Sequence, residues 1–194
     1  MSEFMSEIPY REKKEIPDVF GPEKKVKLNP KILEKLDSKP QIEIARINRL
    51  PLNGGIWTGE RGNSNWIPDD NVIPTNRKGS NPERRTNREI KDKYKFEFIP
   101  FKDGEPDFSK VVKGEVQIDN FTPDRNKNFS QAAIKLAEQK GCTARDIKNW
   151  MKENRYSWHE CKDCKTMQLV PIEVHGNIEH KGGISEMKAK NKEV

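Results

Sequence analysis

The residues best suited to chemistry lie together near the carboxyl end of the chain. All three histidines of the 194-residue sequence fall in one segment, at His159, His175 and His180. Imidazole is the commonest metal-binding side chain and the only one that titrates near neutral pH. Two of the three cysteines, Cys161 and Cys164, lie in the same segment. This clustering predicts a metal site, a catalytic site, or one site that is both.

One metal hypothesis makes Cys161, Cys164, His175 and His180 the ligands of a structural zinc ion. Two residues separate the cysteines, ten form the centre and four separate the histidines. A two-Cys, two-His finger has about twelve central residues, and it too is a β-hairpin followed by a helix. The centre is short for a finger, and Pro171 interrupts its hydrophobic spacing. A non-catalytic, zinc-finger-type nucleic-acid-binding protein stays open as the alternative function.

A second hypothesis has His159, His175 and His180 hold one divalent cation, with Glu160 facing a substrate. Adjacent residues on a strand point to opposite faces, so His159 and Glu160 would approach a shared centre from different sides. His175 and His180 are five residues apart in the sequence, and that spacing is about 140° around an ideal helix. His180 is therefore expected past the end of a helix that carries His175.

Two helices are predicted upstream of the histidine segment. Apolar residues at helical spacing predict a helix over 131–139, capped by Asn128 or Ser130 and ended by Gly141. Thr143 begins the second helix, and a carboxylate three residues later approximates a capping box. The two helices are expected to form a preface packed behind the site.

The histidine segment itself is predicted to be strand, turn, strand and helix. The strands cover 156–160 and 166–170, with a turn at Lys162-Asp163 between them. Pro171 can open a helix because its fixed φ suits the first helical position. That helix carries His175, so a hairpin and a helix would meet at the histidines.

Further elements are predicted before these. A short helix over 30–37 and a strand over 41–47 come first, and strands over 95–99 and 114–118 follow. The dipeptide Asp103-Gly104 is a turn signal between the last two strands.

The segment 51–93 is predicted to be loop held by a few aromatic anchors, because glycine and proline recur throughout it. Its last part, 77–93, is strongly basic. It is either a solvated face or a surface that contacts phosphates.

The composition divides the chain into a compact and a loose part. Only 32% of residues are hydrophobic and 35% are charged, which is too polar for all of them to share one core. The net charge of +6 and the pI of about 9.1 favour a phosphate-rich partner, nucleic acid first. No apolar run approaches the roughly 20 residues that span a bilayer, so no membrane partner is expected. No secretory signal peptide is visible at the start of the sequence.

Five separated motifs in the last part of the chain resemble one known family. They are Trp158-His159-Glu160, the segment 166–171 (Thr-Met-Gln-Leu-Val-Pro), His175, His180 and Gly182-Gly183. Together they are similar to the WHH branch of the HNH/endonuclease VII nucleases, which are toxin modules at the C-termini of bacterial polymorphic toxins. The resemblance is strongest over 113–188, and it is weaker over 55–64 and 100–108.

This resemblance implies an endonuclease that hydrolyses phosphodiester bonds of nucleic acid, DNA favoured, with one divalent metal ion. Zinc, nickel, magnesium and manganese all remain candidates for the ion. It also implies the toxic effector domain of an interbacterial system, with a cognate immunity protein as its partner. Such an effector stays in the producer's cytoplasm or leaves through a dedicated system without a signal peptide. It acts in the cytoplasm of the target cell.

The expected fold class is α+β, with a C-terminal ββα-metal (His-Me finger) nuclease core behind the two-helix preface. The N-terminal region is expected to be loop-rich and partly disordered. The expected divisions are a flexible charged arm (1–48), a loop-rich lead-in region (49–112), the nuclease domain (113–188) and a tail (189–194).

The resemblance carries roles onto individual residues. His159, His175 and His180 match the family's metal ligands, while Glu160 stands where the family has a second His, the expected general base. Either Glu160 is the base and His159 a ligand, or the two residues exchange these roles. Gln168 falls near the family's central Asn, which supports the hairpin and positions the base.

The remaining candidates each have a structural alternative. Trp158 is either a core residue or a platform for base stacking, and Gly182-Gly183 either ends a helix or lets backbone approach a phosphate. Cys161 and Cys164 are either bystanders at a turn or zinc ligands. Four basic residues are candidates for holding phosphates, with ordinary surface charge as the alternative: Arg125, Arg145, Lys148 and Lys181.

Overall fold

A computed structural model describes residues 49–191 and, before them, Lys31, Lys35, Ser38 and Pro40. The predicted strand over 41–47 lies outside the described residues. Within the helix predicted over 30–37, the structure describes Lys31 and Lys35, and both are helical.

Within residues 49–191 the fold is α+β, with two antiparallel sheets and five helices. The first sheet has four strands in chain order: β1 (Gly55–Trp57), β2 (Asn65–Pro68), β3 (Ile99–Lys102) and β4 (Glu105–Pro106). The second has three strands in the order β5-β7-β6: β5 (Gly114–Gln117), β6 (Tyr156–Glu160) and β7 (Thr166–Pro171). The helices are α1 (Asn87–Tyr94), α2 (Arg125–Lys140), α3 (Ala144–Asn154), α4 (Ile172–His175) and α5 (Gly183–Lys190).

Helix α1 corrects the sequence analysis, which placed a loop there and a strand over 95–99. Thr86 and Glu89 form a capping box at its start, so each satisfies a backbone N–H that would otherwise be free. Lys95 ends the helix in the left-handed conformation at φ 58°. The strand therefore starts only at Ile99. The helix was not predicted because its many basic residues leave few apolar positions from which helical spacing can be recognised.

Helices α2 and α3 confirm the predicted preface, although α2 is longer than expected. It begins at Arg125, because Asp124 rather than Asn128 caps it, and Gly141 ends it in the left-handed conformation at φ 64°. Thr143 caps α3, and the carboxylate of Asp146 completes the capping box.

Strands β6 and β7 form the predicted hairpin, and α4 follows it directly. Trp158 pairs with Leu169 and His159 with Gln168 across the hairpin. Helix α4 ends at His175, so His180 lies beyond it, as the angular argument predicted. Helix α5 was not predicted. Gly182-Gly183 opens this helix and does not end one.

The first hydrophobic core joins the four-stranded sheet to the hairpin and its helix. Trp57, Trp66 and Phe101 from the sheet share a cluster with Val170 of β7 and Val174 of α4. The loop-rich lead-in segment is therefore packed against the helix that carries His175.

The second core lies between the two-helix preface and the three-stranded sheet. Leu136 of α2 and Ile147 of α3 pack with Trp158 and Leu169 from the two hairpin strands. The hairpin thus has a core on each side, and both fix where β6 places its last residues. None of the helices within the described residues is long and apolar enough to cross a membrane.

Candidate metal centre

Three different elements bring the three histidines to one point. His159 lies on β6, His175 is the last residue of α4, and His180 lies in the segment between α4 and α5. One ring nitrogen from each lies within 4.8 Å of one from each of the others. The ring centroids are 4.9 to 5.3 Å apart. The histidines singled out in the sequence are therefore together in space.

The hydrogen bonds of His180 fix which of its nitrogens faces the other two rings. Its Nδ1 lies 2.8 Å from the carbonyl oxygen of Ile178, and a carbonyl can only accept, so Nδ1 carries the hydrogen. Its Nε2 faces Nδ1 of His159 at 3.2 Å. In the neutral ring Nε2 therefore presents its lone pair to the centre of the cluster.

The surroundings keep at least two of the three rings neutral. Burial, and then the nearby His159 ring, lower the pKa of His180 to about 3. Burial, together with His180 and His159, holds the pKa of His175 well below its ordinary value. Neutral imidazole is the form that binds metal ions, so these rings have a lone pair available for a metal cation.

Phe108 supports all three rings from one side. Its ring is fully buried, and it meets His159, His175 and His180 edge to face with centroids 5.1, 5.7 and 5.7 Å away. A large apolar ring here excludes water from one side of the cluster. The imidazoles are therefore held by packing on that side, and their nitrogens turn toward one another. Phe108 was not among the site residues predicted from the sequence.

Nδ1 of His175 is buried and has no hydrogen-bond partner within the described part of the chain. The buried Nε2 of His159 has none either, but it faces Glu105 and not the other two rings. A buried polar atom without a partner costs about 1–3 kcal/mol. Three converging imidazoles are also a donor set that zinc, nickel and similar ions prefer. The residues present fit a divalent cation at this place.

Glu105, at the start of β4, approaches His159 from the side opposite His180. Its Oε1 lies 3.8 Å from Nε2 of His159 and accepts a hydrogen bond of 2.7 Å from the backbone N–H of Lys162. Burial raises the pKa of Glu105, but His159 and the Lys162 amide outweigh it, and the pKa lies below its usual value. The turn at Asp103-Gly104, with φ of 51° and 73°, places this carboxylate. The turn was predicted from the sequence, whereas the carboxylate was not.

Glu160 is held in a hydrogen-bond network with α2. Its Oε2 accepts from Nε of Arg125 at 2.9 Å, and its Oε1 accepts from Nδ2 of Asn128 at 2.9 Å. Both Glu160 and Asn128 are buried. Asn128 in turn is tied to Thr122 through both ends of its amide. Glu160 is thus held in one position by residues from the start of α2.

The glycine pair Gly182-Gly183 lets the chain after His180 pass very close to β6. A Cβ on Gly182 would lie 2.7 Å from the carbonyl oxygen of Glu160, and one on Gly183 would lie 2.4 Å from that of Cys161. Any larger residue would push the segment away from the strand. The close approach is to protein backbone, and it fixes His180 relative to His159.

The four side chains of the zinc-finger alternative do not form one group. Within the described residues, the possible metal groups are His159 with His175 and His180, and Glu105 with His159 and Cys161. The Sγ atom of Cys164 lies 3.6 Å from the carbonyl oxygens of Lys162 and Gly183. Both thiols lie in the turn between β6 and β7.

Residues 99–182 match the family model of the DNase/tRNase domain of colicin-like bacteriocin. The matched segment begins at β3 and contains Glu105, Phe108, the β6–β7 hairpin and all three histidines. The match supports a nuclease toxin domain. A search of curated proteins finds no match to the chain.

Part of the support for the matched nuclease segment comes from residues before it. Glu173 of α4 is 1% exposed. It accepts hydrogen bonds from Nζ of Lys93 at 2.6 Å and from Oη of Tyr94 at 2.7 Å, as well as from Arg85. Burial raises the pKa of Glu173, but Lys93, Tyr94 and Arg85 outweigh it and lower the pKa. These contacts hold α4, and with it His175, against α1.

A second link ties the segment after α4 to the loop before α1. The hydroxyl of Ser80 shares its one hydrogen between the carbonyl oxygen of Arg77 at 2.7 Å and Oδ1 of Asn177 at 3.0 Å. Nδ2 of Asn76 donates to the carbonyl oxygen of Asn177 at 3.0 Å. Nδ2 of Asn177 donates in turn to the carbonyl of Glu173 at 2.8 Å. Positions 76–94 therefore hold α4 and the residues that follow it.

The nuclease segment opens onto a cleft of about 940 Å³ that contains the histidines and Glu160. Of the four basic residues that the sequence suggested, Arg125 and Lys181 line this cleft. Arg145 and Lys148 lie on α3 and do not line it. Three further basic residues also line it: Arg49, Arg77 and Lys188. Arg77 belongs to the basic segment 77–93, for which a phosphate-contacting surface was one of two alternatives, whereas nothing in the sequence pointed to Arg49 or Lys188.

Two supporting residues of the sequence analysis occupy different environments. Trp158 is 1% exposed and belongs to the second core, although one side of it reaches the cleft. Gln168 lies opposite His159 across the hairpin, and its Nε2 donates to Glu115 of β5 at 3.0 Å. Gln168 therefore joins two strands of the sheet.

Proposed function

We propose that this chain is a metal-dependent endonuclease of the HNH type, in its WHH branch with Glu160 in place of the second histidine. The observation that carries the proposal is the convergence of three imidazoles from β6, α4 and the following segment within 4.8 Å. A hairpin followed by a helix and three ligating groups is the arrangement that a ββα-metal nuclease needs. The match of residues 99–182 supports the same reaction class.

His159, His175 and His180 would hold the divalent cation. Such a cation polarises a phosphoryl oxygen and stabilises the leaving oxygen when a phosphodiester is hydrolysed. Glu105 would orient His159 once its 3.8 Å approach to Nε2 shortened to a hydrogen bond, because a ligating imidazole ordinarily donates its second N–H to a carboxylate. With Nε2–H turned toward Glu105, the lone pair on Nδ1 of His159 faces the other two rings.

Glu160 is the residue that we assign as the general base. It lines the cleft with the histidines, and each of its oxygens accepts one hydrogen bond and keeps a further lone pair. Arg125 and Asn128 fix the carboxylate, so no reorganisation is needed when it takes a proton from water. The guanidinium of Arg125, which is 59% exposed, can contact a phosphate at the same time.

The substrate that best suits the cleft is nucleic acid, with DNA favoured. Five basic side chains line it, and they would neutralise backbone phosphates without reading bases: Arg49, Arg77, Arg125, Lys181 and Lys188. We propose that the domain is the toxic effector of an interbacterial system and acts in the cytoplasm of a target cell. A cognate immunity protein would then protect the producer.

Cleavage of DNA and RNA with and without a chelator tests the proposed function. We expect the chain to cut plasmid DNA, a chelator to stop cleavage, and a divalent cation to restore it. His175→Ala should lower cleavage by at least about a hundredfold, since electrostatic stabilisation of this kind is worth on the order of 10²–10³ in rate. Cys164→Ser, a change at the turn of the same hairpin, is the matched control and should cleave normally.

Two outcomes would overturn the assignment. Cleavage that persists after complete removal of divalent cations would contradict the metal dependence. Folded His175→Ala protein with the wild-type rate would show that the imidazole cluster takes no part in the reaction.

A further inference from the structure

A second group of metal-binding side chains lies directly behind the three-histidine cluster. Glu105 comes from β4, His159 from β6, and Cys161 follows β6 immediately. One ligand atom from each lies within 4.8 Å of the other two, and Oε1 of Glu105 is 3.8 Å from Nε2 of His159. The second group shares His159 with the first but uses two residues that the nuclease site does not need as ligands.

We propose that Glu105, His159 and Cys161 form a second cation site, specific for zinc and similar thiophilic ions, that competes with the three-histidine site for His159. The proposal rests on the function proposed above only in that the two sites share this one ring. A cation bound at the second site would therefore keep the nuclease site empty.

The buried Nε2 atom of His159 is an independent indication of a ligand on this side. His159 is 1% exposed, and its Nε2 has no hydrogen-bond partner within the described residues. A carboxylate oxygen, Oε1 of Glu105, lies 3.8 Å from it. In one tautomer of His159, Nδ1–H donates to Nε2 of His180. The lone pair on Nε2 of His159 then faces Oε1 of Glu105, and a cation between these two atoms removes their repulsion.

The donor set determines the class of ion. Thiolate, imidazole and carboxylate together suit zinc, whereas magnesium and calcium prefer oxygen ligands alone. Cation binding at Cys161 forms a metal–sulfur bond and releases the thiol proton to solvent, as metal ions do with coordinating thiols. Glu105 is already fixed by the amide of Lys162, so this ligand needs little ordering. The side chains of Glu105 and Cys161 are half-buried, which leaves room for water as a fourth ligand.

The competition follows from the chemistry of one imidazole ring. A neutral imidazole has a single lone pair, either on Nδ1 or on Nε2. A cation among the three histidines uses Nδ1 of His159 and leaves the hydrogen on Nε2, which faces Glu105. A cation at the second site uses Nε2 and leaves the hydrogen on Nδ1, which then donates to Nε2 of His180 over the 3.2 Å contact. Only one of the two sites can be filled at a time.

Cobalt titration of the metal-free chain tests the second site, because cobalt replaces zinc and gives a thiolate-to-cobalt charge-transfer band only when sulfur is a ligand. We expect the His175→Ala variant to bind one cobalt ion per chain with this band, since the second site is then the one that remains intact. Adding Cys161→Ser should remove the band, whereas adding Cys164→Ser should leave it unchanged. Circular dichroism confirms that each variant is folded.

The wild-type chain tests the competition. We expect one cobalt ion per chain in total, with a band per bound ion no stronger than that of His175→Ala. Cys161→Ser alone should still bind one ion, without the band. When Cys161→Ser is added to His175→Ala, the affinity of the second site for zinc should fall at least about tenfold relative to His175→Ala alone. Even residues that only contact metal ligands contribute about 10–100-fold to metal affinity.

The possible results separate the two proposals. A folded His175→Ala variant that shows no thiolate band at any cobalt concentration overturns the second site, whatever the nuclease assay gives. Two ions bound together in the wild-type chain overturn the competition. A thiolate band that survives in His175→Ala while cleavage is lost supports the second site and the nuclease assignment independently.

Discussion

At the scale of single residues, the carboxylate of Glu160 and the imidazole of His159 have separate tasks although they are neighbours in sequence. Alternation along β6 turns His159 into the imidazole cluster and Glu160 toward Arg125 and Asn128. The sequence predicted this division, because strand periodicity requires it. It could not choose between the two assignments of roles. Asn128, which holds Glu160 in place, was predicted to be a helix cap, because Asn near the start of a helix is commonly a cap.

Glu160→Gln tests the assignment of the general base. The amide keeps the shape of the carboxylate, but its single oxygen can accept from only one of Asn128 and Arg125, and it cannot take a proton. We therefore expect kcat to fall by on the order of 10²–10⁴-fold, the usual contribution of a general base, with KM little changed. Steady-state cleavage kinetics measure both. Glu179→Gln, an exposed carboxylate in the same cleft, is the control and should keep its kcat.

The same variant can be compared with Arg125→Ala. If the task of Glu160 were only to hold Arg125, both variants would show the same rise in KM with an unchanged kcat. That result would remove Glu160 from the chemistry.

At the scale of elements, the short helix α4 depends on contacts that the histidine motif does not contain. It has only four residues and no side-chain cap, so an isolated segment of this kind would not be stable. The Glu173 network with Arg85, Lys93 and Tyr94 holds it in place. Sequence reasoning found α4 from Pro171 but missed α1, because a run of basic residues resembles a solvated surface until its carboxylate partner, 80 residues away, is known.

Glu173→Gln tests this support. The change replaces a buried carboxylate that accepts three hydrogen bonds. Hydrogen bonds to charged groups contribute about 1.5–3 kcal/mol each in favourable cases. Because Lys93 is partly exposed and water can replace its bond, we expect the free energy of unfolding to fall by about 2 kcal/mol in total. Urea denaturation measures the loss. The control is Glu153→Gln, at an exposed position of α3, and it should leave the free energy of unfolding unchanged. Glu89→Gln is unsuitable because Glu89 caps α1.

Gly183→Ala gives a second test at this scale, because two effects oppose each other. Helix propensity alone would make Ala at the start of α5 more stable than Gly by up to about 1 kcal/mol. The Cβ, however, would lie 2.4 Å from the carbonyl oxygen of Cys161 and 2.8 Å from the ring of Phe121. We expect the contact with backbone to dominate, so that the variant is less stable and binds its metal ion more weakly.

Thermal unfolding and calorimetric zinc titration measure the two consequences. Gly59→Ala, where the nearest atom is the Cβ of Ser64 at 3.3 Å, is the control and should retain zinc affinity. A more stable Gly183→Ala variant would show that the segment after His180 can move away from β6 without cost.

At the scale of the whole molecule, the cleft joins residues from both ends of the described chain. Arg49 and Arg77 come from the lead-in segment, Arg125 from α2, and Lys181 and Lys188 from the end. The sequence predicted the α+β class, the hairpin and the histidine segment, because each depends on local spacing. It suggested Arg125 and Lys181 and the basic segment 77–93, but it could not show that they share one cleft with Arg49 and Lys188, since these residues meet only after the two cores have packed. It also suggested Arg145 and Lys148, which are near the motifs in sequence but lie on α3, outside the cleft.

The salt dependence of nucleic-acid binding distinguishes the cleft residues from those on α3. Each phosphate contact contributes about 0.9 to the slope of log K against log salt for duplex DNA. We expect Arg77→Ala with Lys181→Ala to reduce the slope by up to about 1.8 and to weaken binding for all sequences alike. Arg145→Ala with Lys148→Ala removes the same charge from the chain and should leave the slope unchanged. Fluorescence anisotropy with labelled duplex in the presence of a chelator measures both without cleavage. Equal reductions from the two pairs would mean that net charge attracts DNA and that the cleft does not hold it.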